Sequence, residues 1–142
     1  MPLIRSVFQD ELDNVSQTLF DLSVMVSDSM ARATTSLMTK DLKLAEEVIT
    51  SDEKIDTVKH DLDARIIDII ARQQPVASDL RALVTALRMS ADLERMGDLA
   101  HHVAKLVRLR HPASAVPAEL LALVEIIGET AEKIATKTGV VI

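Results

Sequence analysis

The chain has 142 residues, enough for one domain with a core of its own, and carries a net charge of −6. The lack of cysteine excludes a disulfide framework, a zinc–thiolate site and a thiol nucleophile. The basic residues are scattered apart from a weak cluster at Lys105, Arg108 and Arg110, so no basic face exists to neutralise nucleic-acid phosphates.

Apolar residues make up 48% of the chain, yet only Phe8 and Phe20 are aromatic. A core of Leu, Ile, Val, Met and Ala favours helices over strands. Three Gly and four Pro leave few turns, so the elements must be long. Met1 to Arg5 lacks the apolar stretch of a signal peptide, and no apolar run approaches the ~20 residues that span a bilayer. These features predict a soluble, cytoplasmic, all-helical protein with no insertion into the membrane.

Four helices are predicted. The first runs from about Phe8 to Thr39, with Leu12, Val15, Leu19, Leu22, Val26, Met30, Ala33 and Leu37 as its apolar stripe. Lys40-Asp41 is a short joint, with Asp41 placed to cap the next helix. The second helix runs from about Leu42 to Arg72, with Val48, Ile55, Leu62, Ile66 and Ile69 as its main stripe. Gln73-Gln74-Pro75 ends it, because proline disfavours helix in the residue before it. The third runs from about Val76 to Leu109 and carries Leu80, Leu83, Leu87, Leu93, Ala100, Val103 and Val107.

Residues 111–117 form a linker, and a fourth helix occupies residues 118–142. Three long helices with short joints predict an up-down-up bundle. Sliding the first helix forward by 105 residues sets Val15 on Leu120, Leu19 on Val124, Leu22 on Ile127, Val26 on Ala131, Met30 on Ala135 and Leu37 on Ile142. The fourth helix therefore reads either as the opening of a second three-helix unit or as an ordinary fourth bundle helix.

Four carboxylates carry the chemistry. Asp52 and Asp56 are spaced i, i+4 on the second helix, and Glu94 and Asp98 repeat that spacing on the third. The first pair shares its line with Ala45, Ile49, Asp63, Ile67 and Ile70, the second with Leu80, Leu87 and Ala91. Both lines are largely apolar and are predicted to face inward. Asp52 with Asp98, and Asp56 with Glu94, each average to position 75, where the turn lies. The two pairs should face one another across the hairpin.

Four like charges in a half-buried site must take up protons, pair with cations or bind metal. Lys59 and Arg95 are the nearby cations, so a salt-bridge network stands beside a metal site as a reading. His60, His101 and His102 are also close, with His102 four residues past Asp98 as a candidate nitrogen ligand and Glu53 as an optional oxygen ligand. Gly97 within the third helix costs ~1 kcal/mol relative to alanine, which close helix approach or room for an ion would justify.

The run Gln74-Pro75-Val76-Ala77, Asp79-Leu80-Arg81, Asp92-Leu93-Glu94-Arg95-Met96-Gly97-Asp98 and Ala100, with Ala45, Val48, Ile49, Asp52 and Asp56 upstream, resembles the PhoU family of phosphate-signalling regulators. The resemblance implies two tandem three-helix bundles, of which residues 1–110 are the first and residues 118–142 the truncated start of the second. The family's acidic motif falls on Glu94 and Asp98, facing Asp52 and Asp56. It implies a bound ion (iron, zinc, manganese or magnesium). It further implies an adaptor that negatively regulates phosphate uptake by contacting a phosphate ABC transporter and a two-component sensor kinase, with dimerisation through the exposed fourth helix. The expectation is a regulator and not an enzyme. A di-metal carboxylate enzyme is the alternative, opposed by the lack of any Glu-x-x-His motif.

Overall fold

The computed structural model describes residues 2–142, with side chains from residue 6 onward. Met1 lies outside the described residues, as do the side chains of the first five positions, on which the reading of a missing signal peptide rests. The chain folds as α1 (Pro2–Thr39), α2 (Leu42–Gln73), α3 (Ala77–Arg110) and α4 (Leu121–Val140), the last preceded by a 3₁₀ turn at Ala118–Leu120. No strand occurs among the described residues, and none of the helices is long and apolar enough to cross a membrane.

The boundaries have local causes. α1 begins at Pro2, earlier than the apolar stripe alone indicates, and proline's fixed φ suits a first helical turn. Asp41 has extended backbone and its side chain accepts from the Leu44 N–H at 3.0 Å, capping α2 as predicted. α2 closes at Gln74, whose left-handed backbone (φ 44°, ψ 57°) lets its N–H donate to the Ile70 carbonyl before Pro75 forbids another turn.

α1, α2 and α3 pack against one another in an up-down-up arrangement. Leu22, Val26, Ile55, Leu62, Ile66, Ile69, Leu83 and Leu93 fill the main core and are almost wholly buried. Each such side chain stabilises the fold by roughly 1.5–3 kcal/mol of transfer free energy. Toward the α1–α2 joint the core narrows to Ala33, Ala45, Val48, Ala100, Ala104 and Val107, small side chains that draw the helices together.

α4 lies antiparallel along α1. Its contact face is built from small residues: Gly128 against Thr34, buried Ala135, and Gly139 against Ser23 and Phe20. Ser27 and Thr136 hydroxyls meet across this seam at 2.8 Å. Of the six stripe positions matched by the slide of 105, Ala135 is buried and Val124, Ala131 and Ile142 are half-buried, while Leu120 and Ile127 face outward. A large part of α4's apolar surface is therefore free: Leu123, Ile126, Ile127 and Ile134 are each more than half exposed.

The two acid-bearing lines also lie further out than predicted. Ile67 is 59% exposed, and Leu80 and Ala91 are exposed as well. The acids sit along the rim of the α2–α3 seam, where one side of each helix is covered and the other meets water.

Candidate metal centre

The seam between α2 and α3 places the acids. Beneath them Ile55 is buried, and Gly97 lies directly over it. A Cβ at Gly97 would stand 3.4 Å from two Ile55 carbons and 3.8 Å from Asp52 Oδ1. The glycine thus allows close approach of the helices beside the acids, as its cost in the helix required.

Asp52 is only 7% exposed. Asp56, Glu94 and Asp98 are half-buried around it. An oxygen from each of Asp52, Asp56 and Asp98 lies within 4.8 Å of the other two. Glu94 stands outside this tight group, but its charge reaches it. The Asp56 carboxyl is held above the usual carboxylate range, first by burial and then by the charges of Asp52, Glu94 and Asp98, with His60 opposing. The structure thus brings all four predicted acids into one electrostatic neighbourhood and three of them into reach of one ion.

Neither nearby cation forms an ion pair with these acids among the described residues, although the charges of Glu94 and Asp56 reach Lys59. Lys59 Nζ pairs with Asp63 at 2.6 Å, and that hydrogen bond raises the lysine pKa. The other Asp63 oxygen accepts from Ser90 Oγ at 2.7 Å, so Asp63 is satisfied on both sides and closes a structural network of its own. Arg95 is exposed and forms no ion pair among the described residues.

The residue that does reach the acids is His101. Its Nδ1 lies 2.7 Å from Asp52 Oδ2, and since a carboxylate only accepts, the ring nitrogen donates. Asp52 Oδ1 and His101 Nε2 remain buried and without partners. An unpartnered buried carboxylate oxygen is costly, which makes this atom the best evidence that the site is built to receive something. Carboxylate oxygens are the ligands that hard cations such as magnesium, manganese and ferric or ferrous iron take. The residues present therefore fit a metal ion, with Asp52, Asp56 and Asp98 to hold it and Glu94 at the margin.

His102, the predicted nitrogen donor, is exposed, as is Glu53. The sequence reading names His101 among three nearby histidines but singles out His102, although Glu94, Asp98 and His101 follow i, i+4, i+7 along one helix face. The physical reason is the tilt of side chains toward each helix's N-terminus. In this hairpin the tilt carries α2 side chains away from the turn and α3 side chains toward it. Partners then number more than twice 75: Asp52 with His101, and Asp63 with Ser90, each sum to 153.

Comparison with known proteins now adds the lineage. The PhoU domain model matches residues 19–107, more than half of the chain. The chain belongs to the PhoU family. It is 43% identical over 117 residues to the phosphate-specific transport system accessory protein PhoU homolog 2 of Mycobacterium tuberculosis, covering 82% of this chain and 55% of that relative. The PhoU homolog of Rhizobium meliloti is 34% identical over 128 residues, covering 90% of this chain and 54% of the relative. That of Aquifex aeolicus is 37% identical over 95 residues, covering 67% and 43%. The chain spans about half the length of these PhoU relatives. Each is named an accessory protein of phosphate transport, and no reaction appears in those names.

Proposed function

We propose that this chain is a metal-binding regulatory adaptor of phosphate uptake, working in the cytoplasm without catalysing a reaction. It restrains the phosphate-starvation response by contacting a phosphate ABC transporter and a two-component sensor kinase. The observation that carries this reading is membership of a family whose curated relatives are named accessory proteins of a phosphate-specific transport system. The unpartnered Asp52 Oδ1 among three converging carboxylates supports the metal in it. Removing the gene from its host is the test. Phosphate uptake and starvation-gene expression should rise in phosphate-rich medium, and unchanged levels of both would contradict the adaptor role.

In this reading residues 1–110 are one three-helix unit, residues 111–117 a linker and residues 118–142 the first helix of a second unit. The family match ending at residue 107 supports that division. The free face of α4 is then an interface, and the occupant we propose is a second copy of this chain. Across a two-fold axis at Ile127, Leu120 falls opposite Ile134 of the second copy, seven residues to either side. Glu119 falls between Lys133 and Lys137 of that copy, so charge complements the apolar stripe. Sedimentation equilibrium should report a dimer that Ile127→Glu dissociates; a monomer at every concentration would remove this interface.

A further inference from the structure

Resting on the metal-centre reading, we infer that His101 is a positioning residue of that centre: it grips Asp52 through Oδ2 and thereby presents Oδ1 to the ion.

Geometry carries this role. The Nδ1–Oδ2 distance of 2.7 Å is that of a strong, charge-assisted hydrogen bond. The bond fixes both partners, since the aspartate χ2 torsion is otherwise broad and nearly two-fold. With Oδ2 engaged, the oxygen left over is the buried, unpartnered Oδ1, which also approaches Gly97. Asp63, on the same line of α2, provides the contrast. Its two oxygens are taken by Lys59 and Ser90, so it has nothing to offer an ion. Of these two acids on one line of α2, Asp52 alone has one oxygen held and the other left open.

His101 acts through Asp52 and not as a ligand. Its ring nitrogens do not belong to the group of Asp52, Asp56 and Asp98 whose oxygens lie within 4.8 Å of one another. Donation from Nδ1 also fixes the tautomer and leaves Nε2 without a proton when the ring is neutral. Outer-shell partners of this kind set the orientation and basicity of a ligand, and losing one typically weakens metal affinity ~10–100-fold.

The test is Mn²⁺ titration of the purified chain by calorimetry, with the nitrogen couplings of the bound ion read by pulsed electron paramagnetic resonance. His101→Ala should weaken binding ~10–100-fold at unchanged stoichiometry. His101→Asn, whose amide N–H can stand where Nδ1 stands, should recover most of that loss. In an Asp52→Asn background the His101→Ala substitution should have almost no further effect, because the two act as one unit. Equal affinity of the wild type and His101→Ala would overturn the positioning role and leave the metal centre standing. A histidine nitrogen coupled directly to Mn²⁺ would overturn it in favour of ligation. No binding by the wild type would overturn the centre itself, and this role with it.

Discussion

Saturating metal is expected to raise the thermal stability of this chain, and to raise it more as the pH increases. The metal-free site concentrates Asp52, Asp56, Glu94 and Asp98, and the Asp56 carboxyl titrates above its ordinary value. A carboxyl with a raised folded-state pKa contributes stability below its unfolded pKa and loses that contribution as the pH climbs through the raised value. On this group's account the metal-free chain becomes less stable from the acid side toward neutrality. An ion reverses the trend, since it binds the ionised carboxylates and competes with protons. At an ion concentration of 100 times Kd the gain is about 2.7 kcal/mol. For a domain of this size that corresponds to roughly 5–15 °C in Tm. Calorimetric scans at pH 5 and pH 7.5, with and without Mn²⁺, check both parts. An ion-induced shift that shrinks toward neutral pH would contradict the carboxylate site.

The double substitution Gly128→Leu/Gly139→Leu should free α4 from α1 while leaving the other three helices folded. A Cβ at Gly128 would overlap the Thr34 side chain, which is itself tied to the Met30 carbonyl at 2.9 Å. A Cβ at Gly139 would overlap Ser23 Oγ and crowd the Phe20 ring at 3.3 Å. Overpacking of this kind typically costs about 1–3 kcal/mol at each site. α4 rests on α1, whereas α2 and α3 are held by each other and by α1. Hydrogen exchange should therefore show protection lost across residues 121–140 and retained in the α2–α3 core around Leu62 and Leu93. Continued protection of α4 would mean that its seam tolerates large side chains, against the close approach seen at both glycines.

The three-helix bundle was legible because its signals are local and periodic. The Leu22, Val26, Ile55, Leu62 and Leu93 stripes, the Asp41 cap and the Gln74-Pro75 stop all act within a few residues of themselves. The seating of α4 was half legible. Its contact face uses Gly128, Ala135 and Gly139, whose small side chains carry little hydropathy, while the stronger residues Leu123, Ile126, Ile127 and Ile134 point away.

At the site, the i, i+4 acid pairs and the turn-centred pairing anticipate the gathering of Asp52, Asp56 and Asp98, with Glu94 at its margin. Their depth was overestimated, because an apolar line on a helix does not reveal how far round the neighbouring helix reaches. Which histidine is the partner was hidden by side-chain tilt, which shifts contacts across this hairpin by three residues in all, between one and two on each helix. A register counted on Cα positions points to Asp98 opposite Asp52, whereas the hydrogen bond is made by His101.

The central claim is that the α2–α3 acids hold a metal ion, and metal content is its most direct measure. The purified chain, incubated with Mn²⁺ or Fe²⁺ and desalted, should carry stoichiometric metal by mass spectrometry. The Asp56→Asn/Asp98→Asn variant, with two of the three converging carboxylates neutralised, should carry none. Equal metal in both proteins, or none in either after reconstitution, would contradict the account.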